Sequence, residues 1–132
     1  MQERNLKKVL IIDDEIFFCR AIKKNLELKE EYQVLIATRG DEGLRLARAE
    51  QPDVILLDIM MPGMSGTEVT DALLADPTTR SIPIIYVTAV IHEDDIQKGA
   101  GISSGKALIA KPVKIDELVK KINDVCQVVH NP

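Results

Sequence analysis

The chain has 132 residues, 17 basic and 21 acidic side chains and a net charge of −4, with 45% hydrophobic and 29% charged residues. That length is typical of one domain that buries roughly two-thirds of its unfolded surface, so a core can form without disulfides or a structural metal. The composition excludes a disordered tail protein, and the lack of any basic run longer than two residues argues against direct nucleic-acid binding.

Five short apolar runs predict five β-strands. The runs are nearly continuous rather than alternating, which is typical of strands buried on both faces of a parallel sheet. In chain order they cover residues 9–12, 34–37, 54–57, 84–87 and 107–110.

Segments with helical spacing separate and follow these strands. Residues 40–49 and 67–75 predict the second and third helices, and Pro77 ends the third. Residues 99–105 are rich in glycine, so a fourth helix beginning near Glu93 should be short. The apolar stripes of the first and last helices are Ile16, Cys19, Ile22 and Leu26, and Ile115, Leu118, Val119, Ile122 and Val125.

This alternation predicts a doubly wound, flavodoxin-like (βα)5 domain with a five-stranded parallel sheet and helices on both faces. We expect one domain over residues 1–132, with its core at about residues 7–128. In such sheets, ligands bind beyond the carboxyl ends of the strands. The polar residues at those ends are Asp13, Asp14 and Glu15 after the first strand, Asp58 after the third, Thr88 after the fourth and Lys111 after the fifth.

Each of these polar residues alone has an ordinary structural explanation, such as a helix cap or a turn. Together they would bring carboxylates, one hydroxyl and one ammonium group to a single rim. Clustered carboxylates repel one another and raise each other's pKa unless a cation joins them. A hard divalent cation such as Mg²⁺, which binds carboxylates together with water and phosphate oxygens, fits this donor set.

The same residues resemble the receiver domain of the two-component response-regulator family. The matching elements are Asp13-Asp14-Glu15, the stretch LLDIMMPGMSG at residues 56–66, Val87-Thr88-Ala89 and Lys111-Pro112, in the family's order and spacing. The resemblance covers roughly residues 7–128. It implies a sheet order of 2-1-3-4-5, and Pro112 could follow a cis peptide bond.

The resemblance also implies a function. Asp58 would accept a phosphoryl group from a phosphohistidine of a sensor histidine kinase or phosphotransfer protein, in a reaction that needs Mg²⁺. Asp13, Asp14 and Asp58 would hold the metal, together with the backbone carbonyl of Met60. Thr88 and Lys111 would contact the phosphoryl group. Such a protein modifies itself and is not a turnover enzyme.

The signal would leave through the surface formed by the fourth helix, fifth strand and fifth helix, towards a separate protein or a fused output domain. Two departures from the family lie there. Leu108 replaces an aromatic residue that commonly reports phosphorylation, and Gly105-Lys106 replaces a common Gly-Ala pair. We therefore expect altered coupling or partner recognition at this surface.

Three other functions fit parts of the pattern. A flavodoxin-like cofactor binder needs a phosphate-cradling loop where this chain has Asp13 and Asp14. A phosphohydrolase resembling the haloacid dehalogenase family needs an Asp-x-Asp nucleophile motif after the first strand, which is also absent. A degenerate receiver that only binds proteins, without phosphorylation, is the third.

The remaining expectations concern location and the thiols. Residues 1–8 are polar and the first apolar run is too short for a secretion signal or a membrane span, so a cytoplasmic protein without membrane contact is expected. Cys19 and Cys126 should be reduced and buried, and could be neighbours, because the first and fifth helices would cover the same face. His92 and His130 are expected at the surface.

Overall fold

The computed structural model describes residues 5–89 and 107–130, with side-chain surroundings up to residue 126. The predicted fourth helix, residues 99–105, the Gly105-Lys106 pair and His92 lie outside the described residues, as does the side chain of His130. Expectations for those positions stay predictions.

Five parallel strands form one sheet in the order β2-β1-β3-β4-β5. The predicted fold class and strand order are confirmed. Most strands are one or two residues longer than their apolar cores, because the sheet hydrogen bonds continue into the polar residues beside them. The strands are β1 (Lys7–Ile12), β2 (Tyr32–Ala37), β3 (Val54–Asp58), β4 (Ile84–Thr88) and β5 (Ala107–Ala110).

The helices of the described residues lie close to the predicted bounds. They are α1 (Ile16–Glu27), α2 (Gly40–Glu50), α3 (Gly66–Ala75) and the C-terminal helix α4 (Ile115–His130), which corresponds to the fifth predicted helix. α3 begins with a capping box in which the Ser65 hydroxyl accepts from the Glu68 N–H and the Glu68 carboxylate accepts from the Ser65 N–H. Of the described helices, none combines the length and the apolar character needed to cross a membrane.

The sheet separates two apolar clusters, one on each face. Helices α1 and α4 cover the first cluster through Ile22, Leu26 and Leu118, while α2 and α3 cover the second through Ala47 and Leu73. The central strand β3 is buried along its whole length, whereas β2 at the edge has exposed and half-buried positions. Most of the core side chains are therefore aliphatic, and each cluster also contains one buried tyrosine, Tyr32 in the first and Tyr86 in the second.

The two cysteines share the first cluster, but the expectation that they could be neighbours is wrong. The Cys19 thiol donates to the Asp13 carbonyl at 3.3 Å, and the Cys126 thiol lies 3.8 Å from the Asp53 carbonyl. Asp13 follows β1, whereas Asp53 is level with Lys8 at its start, so these carbonyls are about 16 Å apart along the strand. Both thiols are free and buried, as predicted.

Candidate functional site

The strand register brings four strand ends to one edge of the sheet. Ile12 of β1 pairs with Leu57 of β3, so the next residues, Asp13 and Asp58, are level with each other. On the other side of β3, Asp58 pairs with Val87, and Thr88 follows directly at the end of β4. The Lys111 N–H donates to the Thr88 carbonyl at 2.9 Å and ties the end of β5 to the same edge. This edge therefore collects Asp13, Asp58, Thr88 and Lys111.

Three carboxylates meet at this edge. One oxygen from each of Asp13, Asp14 and Asp58 lies within 4.8 Å of the others. Asp13 and Asp58 are 1% and 5% exposed, whereas Asp14 faces solvent. Such a concentration of like charge favours either protonation of one group or binding of a cation.

The electrostatics of Asp58 reflect this crowding. Burial and the neighbouring Asp13 carboxylate raise the pKa of Asp58 to about 6 from an ordinary value of 3.8. The Met60 N–H donates to Asp58 Oδ1 at 3.1 Å, and with the positive charge of Lys111 it limits the rise in that pKa. The Asp58 carboxylate is thus mainly ionised at pH 7 although it is buried.

The Asp13 carboxylate is only partly satisfied. Its Oδ1 accepts from the Glu15 N–H at 2.9 Å, and its Oδ2 lies 2.8 Å from Lys111 Nζ. The Oδ2 contact is an ion pair without hydrogen-bond geometry, and in the described part of the chain this buried oxygen has no hydrogen bond. A buried oxygen with spare capacity, beside two further carboxylates, is the donor chemistry that fits Mg²⁺.

Lys111 faces this cluster from β5. Its ammonium group pairs with Asp13 and Glu15 and lies 4.3 Å from the ring centroid of Phe18. Burial alone would lower the pKa of Lys111, but its contacts with the carboxylates of Asp13 and Glu15 raise that pKa above the ordinary value, so the group stays positively charged. The peptide bond from Lys111 to Pro112 is cis.

A cavity of about 240 Å³ opens over the carboxylates. It is large enough for a phosphoryl-sized group. Its lining residues are Asp14, Glu15, Asp58, Met60, Thr88, Ala89 and Lys111.

The backbone of the loop behind Asp58 is packed tightly. A Cβ on Gly66 would lie 2.9 Å from the Asp58 carbonyl and 2.8 Å from the Ile59 Cα. The Gly66 N–H donates to the Ile59 carbonyl at 3.0 Å. Gly66 therefore fixes the path of the chain that leaves Asp58.

The structure brings every predicted site residue to this edge. Thr88 is buried and lines the cavity, and Met60 lines it beside Asp58. The contacts of Glu15 and Phe18 with Lys111 were not predicted from the sequence. The only signal for Glu15 was its place directly after the two aspartates, and Phe18 gave none because its partner lies far away in the chain.

Leu108, which replaces the family's common aromatic residue, lies on β5. Leu108 pairs with Tyr86 of β4 and packs, half-buried, against the second apolar cluster. The Tyr86 hydroxyl lies 2.8 Å from the Thr70 hydroxyl of α3, which in turn donates to the Gly66 carbonyl. At this level of the sheet the aromatic residue is thus Tyr86 on β4, whereas β5 has Leu108 at the position where the family commonly has an aromatic residue.

Comparison with known proteins agrees with this architecture. A family described as the response regulator receiver domain matches residues 9–123. Protein PilH of Pseudomonas aeruginosa is 39% identical over 120 residues, which are 91% of this chain and 98% of PilH. The response regulator PleD of Caulobacter vibrioides is 38% identical over 118 residues, which cover 89% of this chain but only 24% of PleD.

Solved structures give the same result. The chemotaxis protein CheY4 of Vibrio cholerae superposes with a TM-score of 0.78 at 28% identity, over 91% of this chain and 98% of that one. A CheY-like response regulator receiver domain protein of Methanospirillum hungatei gives a TM-score of 0.78 at 31% identity, over 96% and 98% of the two chains.

Proposed function

The chain belongs to the response regulator receiver domain family of two-component signalling, and from this premise we propose that Asp58 is its phosphoacceptor. The observation that carries the proposal is the placement of one buried, mainly ionised carboxylate between two further aspartates and a cavity lined by Thr88 and Lys111. The phosphoryl donor is a phosphohistidine of a sensor histidine kinase or a phosphotransfer protein.

In the proposed step, an Asp58 carboxylate oxygen attacks phosphorus. A P–O bond forms while the P–N bond of the phosphohistidine breaks, and the electron pair of that bond leaves on the imidazole, which takes a proton from water. A carboxylate is a competent nucleophile in such a step. Because phosphoryl transfer depends on alignment and charge stabilisation more than on acid–base chemistry, Asp58 needs no general base.

Asp13, Asp14 and Asp58 would hold one Mg²⁺, with the backbone carbonyl of Met60 as a further ligand. The 4.8 Å grouping of the three carboxylates supports this assignment, as does Asp13 Oδ2, which among the described residues has an ion pair with Lys111 but no hydrogen bond. When bound, the cation supplies positive charge to the phosphoryl oxygens. It would also relieve the repulsion among the carboxylates.

Thr88 and Lys111 are proposed to bind the phosphoryl oxygens on Asp58. Both residues line the cavity, and the backbone hydrogen bond between them ties the ends of β4 and β5 together. A contact between Thr88 and the phosphoryl group would therefore also change the position of the end of β5. We infer that the output surface comprises the predicted fourth helix, β5 and α4, and contacts a downstream protein or output domain.

This function makes the chain a signalling module whose self-modification is its only chemistry. It needs a histidine kinase or phosphotransfer protein as donor, which places the domain in the cytoplasm. Its two free, buried thiols suit a reducing compartment. No direct binding to nucleic acid or membrane is proposed for this domain.

The test is intact-mass measurement after incubation with acetyl phosphate, with and without Mg²⁺. One added phosphoryl group in the Mg²⁺ sample, located on Asp58 by trapping with hydroxylamine, supports the proposal. An unmodified protein that still binds a downstream partner would instead identify a phosphorylation-independent binding module. Sustained release of phosphate would identify a hydrolase.

A further inference from the structure

The ammonium group of Lys111 is held from one side of the cavity. Its contacts are the ion pair with Asp13 Oδ2 at 2.8 Å, the ion pair with Glu15 Oε1 and the ring of Phe18. All three partners lie within residues 13–18, where β1 ends and α1 begins. In the part of the chain that the structure describes, Lys111 forms no ion pair with Asp58.

The residues that form these ion pairs differ in how easily a new partner could replace them. The side chain of Lys111 is only 10% exposed, so its charge needs a protein partner or a bound anion. The side chain of Glu15 is 59% exposed, so its carboxylate can turn into water at small cost. Asp13 is buried and fixed by the Glu15 N–H, so it cannot leave in the same way.

We propose that Glu15 is a positioning residue that holds Lys111 on the α1 side of the cavity until a phosphoryl group on Asp58 draws the ammonium away. The inference rests on the proposed function, because it assumes that a phosphoryl group occupies the cavity. Glu15 and the phosphoryl oxygens then compete for the same ammonium group. The carboxylate of Glu15 weakens phosphoryl binding and shortens the lifetime of the aspartyl phosphate.

The first experiment measures the affinity of the protein for beryllofluoride, a phosphoryl mimic, in the presence of Mg²⁺. Glu15→Gln should bind the mimic about three- to ten-fold more tightly, the range expected for loss of a competing, half-exposed ion pair. Glu31→Gln is the matched control, because it removes an exposed carboxylate just before β2, at the opposite end of the strands. It should bind as the wild type does.

A double-mutant cycle separates this role from general repulsion of anions. In a Lys111→Met background, Glu15→Gln should no longer change the affinity for beryllofluoride, because the group over which Glu15 competes is gone. An undiminished effect in that background would mean that Glu15 acts by repelling the anion directly, and would overturn the inference. If Lys111→Met does not fold, Lys111→Gln serves the same purpose.

The lifetime of the phosphorylated protein gives an independent readout. After modification with acetyl phosphate and removal of the donor, Glu15→Gln should lose its phosphoryl group several-fold more slowly than the wild type, with an unchanged urea unfolding midpoint. Equal or shorter lifetimes would contradict the inference while leaving the function of Asp58 intact. If the wild type takes up neither phosphoryl group nor beryllofluoride, the proposed function itself fails.

Discussion

Two aspartates flank the central strand β3 and have opposite surroundings. Asp53 immediately precedes the strand, is exposed, and accepts a hydrogen bond from the Lys8 N–H at 2.7 Å. Asp58 ends the same strand, is 5% exposed, and lies within 4.8 Å of two other carboxylates. The same residue type therefore forms a hydrogen-bonded structural contact at one end of β3 and a crowded, buried carboxylate at the other.

The cause lies in what each edge of the sheet offers. At the Asp53 edge, Lys8 supplies a backbone donor, and its ammonium group pairs with Glu50 at 3.3 Å. At the Asp58 edge, the loop after β1 adds Asp13 and Asp14, and the nearby cation, Lys111, is paired with Asp13 and Glu15. The negative charge that remains near Asp58 is what the proposed metal ion would balance, and a phosphoryl group on Asp58 would add to that charge.

The largest expected difference between the two aspartates is in phosphorylation. Asp58→Asn should abolish uptake of a phosphoryl group from acetyl phosphate, because the amide is not a nucleophile in this step. Asp53→Asn removes the same charge at the other end of β3 and should be modified at a rate close to that of the wild type. Intact-mass measurement of both variants tests this difference. Phosphorylation of Asp58→Asn at the wild-type level would reject Asp58 as the acceptor.

A substitution that disturbs the backbone behind Asp58 should also impair the protein strongly. Gly66→Ala would press a Cβ against the Ile59 backbone and the Asp58 carbonyl, all within about 3 Å. We expect unfolding to become easier by about 2–4 kcal/mol, together with slower phosphorylation. Gly63→Ala in the same loop is the control: its φ of 85° costs about 1 kcal/mol, but its Cβ would meet nothing within 4 Å. Urea unfolding of both variants measures the difference, and equal costs would contradict it.

The raised pKa of Asp58 predicts a pH dependence of the free energy of unfolding that the Asp58→Asn variant lacks. Because the pKa is about 6 in the folded protein and 3.8 ordinarily, the folded state binds this proton more tightly than the unfolded state does. The resulting stability is fully present below about pH 4 and is lost as the pH rises through about 6, by about 2–3 kcal/mol.

Urea unfolding in a metal chelator at several pH values tests this dependence. The free energy of unfolding of the wild type should fall relative to that of Asp58→Asn between pH 4 and 7. Added Mg²⁺ should restore it at pH 7, because the cation binds the ionised carboxylates. Parallel curves for the two proteins without metal would show that burial and the Asp13 carboxylate do not raise the pKa of Asp58.

The sequence was sufficient to predict the sheet and the group of polar residues at the carboxyl ends of its strands. Continuous apolar runs identify buried parallel strands, and the carboxyl ends of such strands meet at one edge, so Asp13, Asp58, Thr88 and Lys111 could be grouped without coordinates. The order of the strands came from the family resemblance. The bounds of the strands differed by one or two residues because polar residues continue the hydrogen-bond ladder.

Two features of the structure could not be predicted from the sequence. The spacing of apolar residues on α1 and α4 gives the face that each helix buries but not its height along the strands, which is why Cys19 and Cys126 were wrongly expected as possible neighbours. The partners of Lys111 depend on side-chain directions at the start of α1. No periodicity in the sequence encodes those directions, so Glu15 and Phe18 were missed.

The smallest expected effects belong to the Asp53 edge. Asp53→Ala should lower the free energy of unfolding by about 1 kcal/mol, because it removes one hydrogen bond to the Lys8 N–H, which water can replace in part. Lys8→Met removes the ammonium group paired with Glu50, whose side chain is 42% exposed, and should cost only a few tenths of a kcal/mol. Urea unfolding measures both, and neither variant should lose phosphorylation. If Asp53→Ala reduced phosphorylation as strongly as a change at Asp58, the two ends of β3 would be coupled, and their separation into a structural edge and a reactive edge would be wrong.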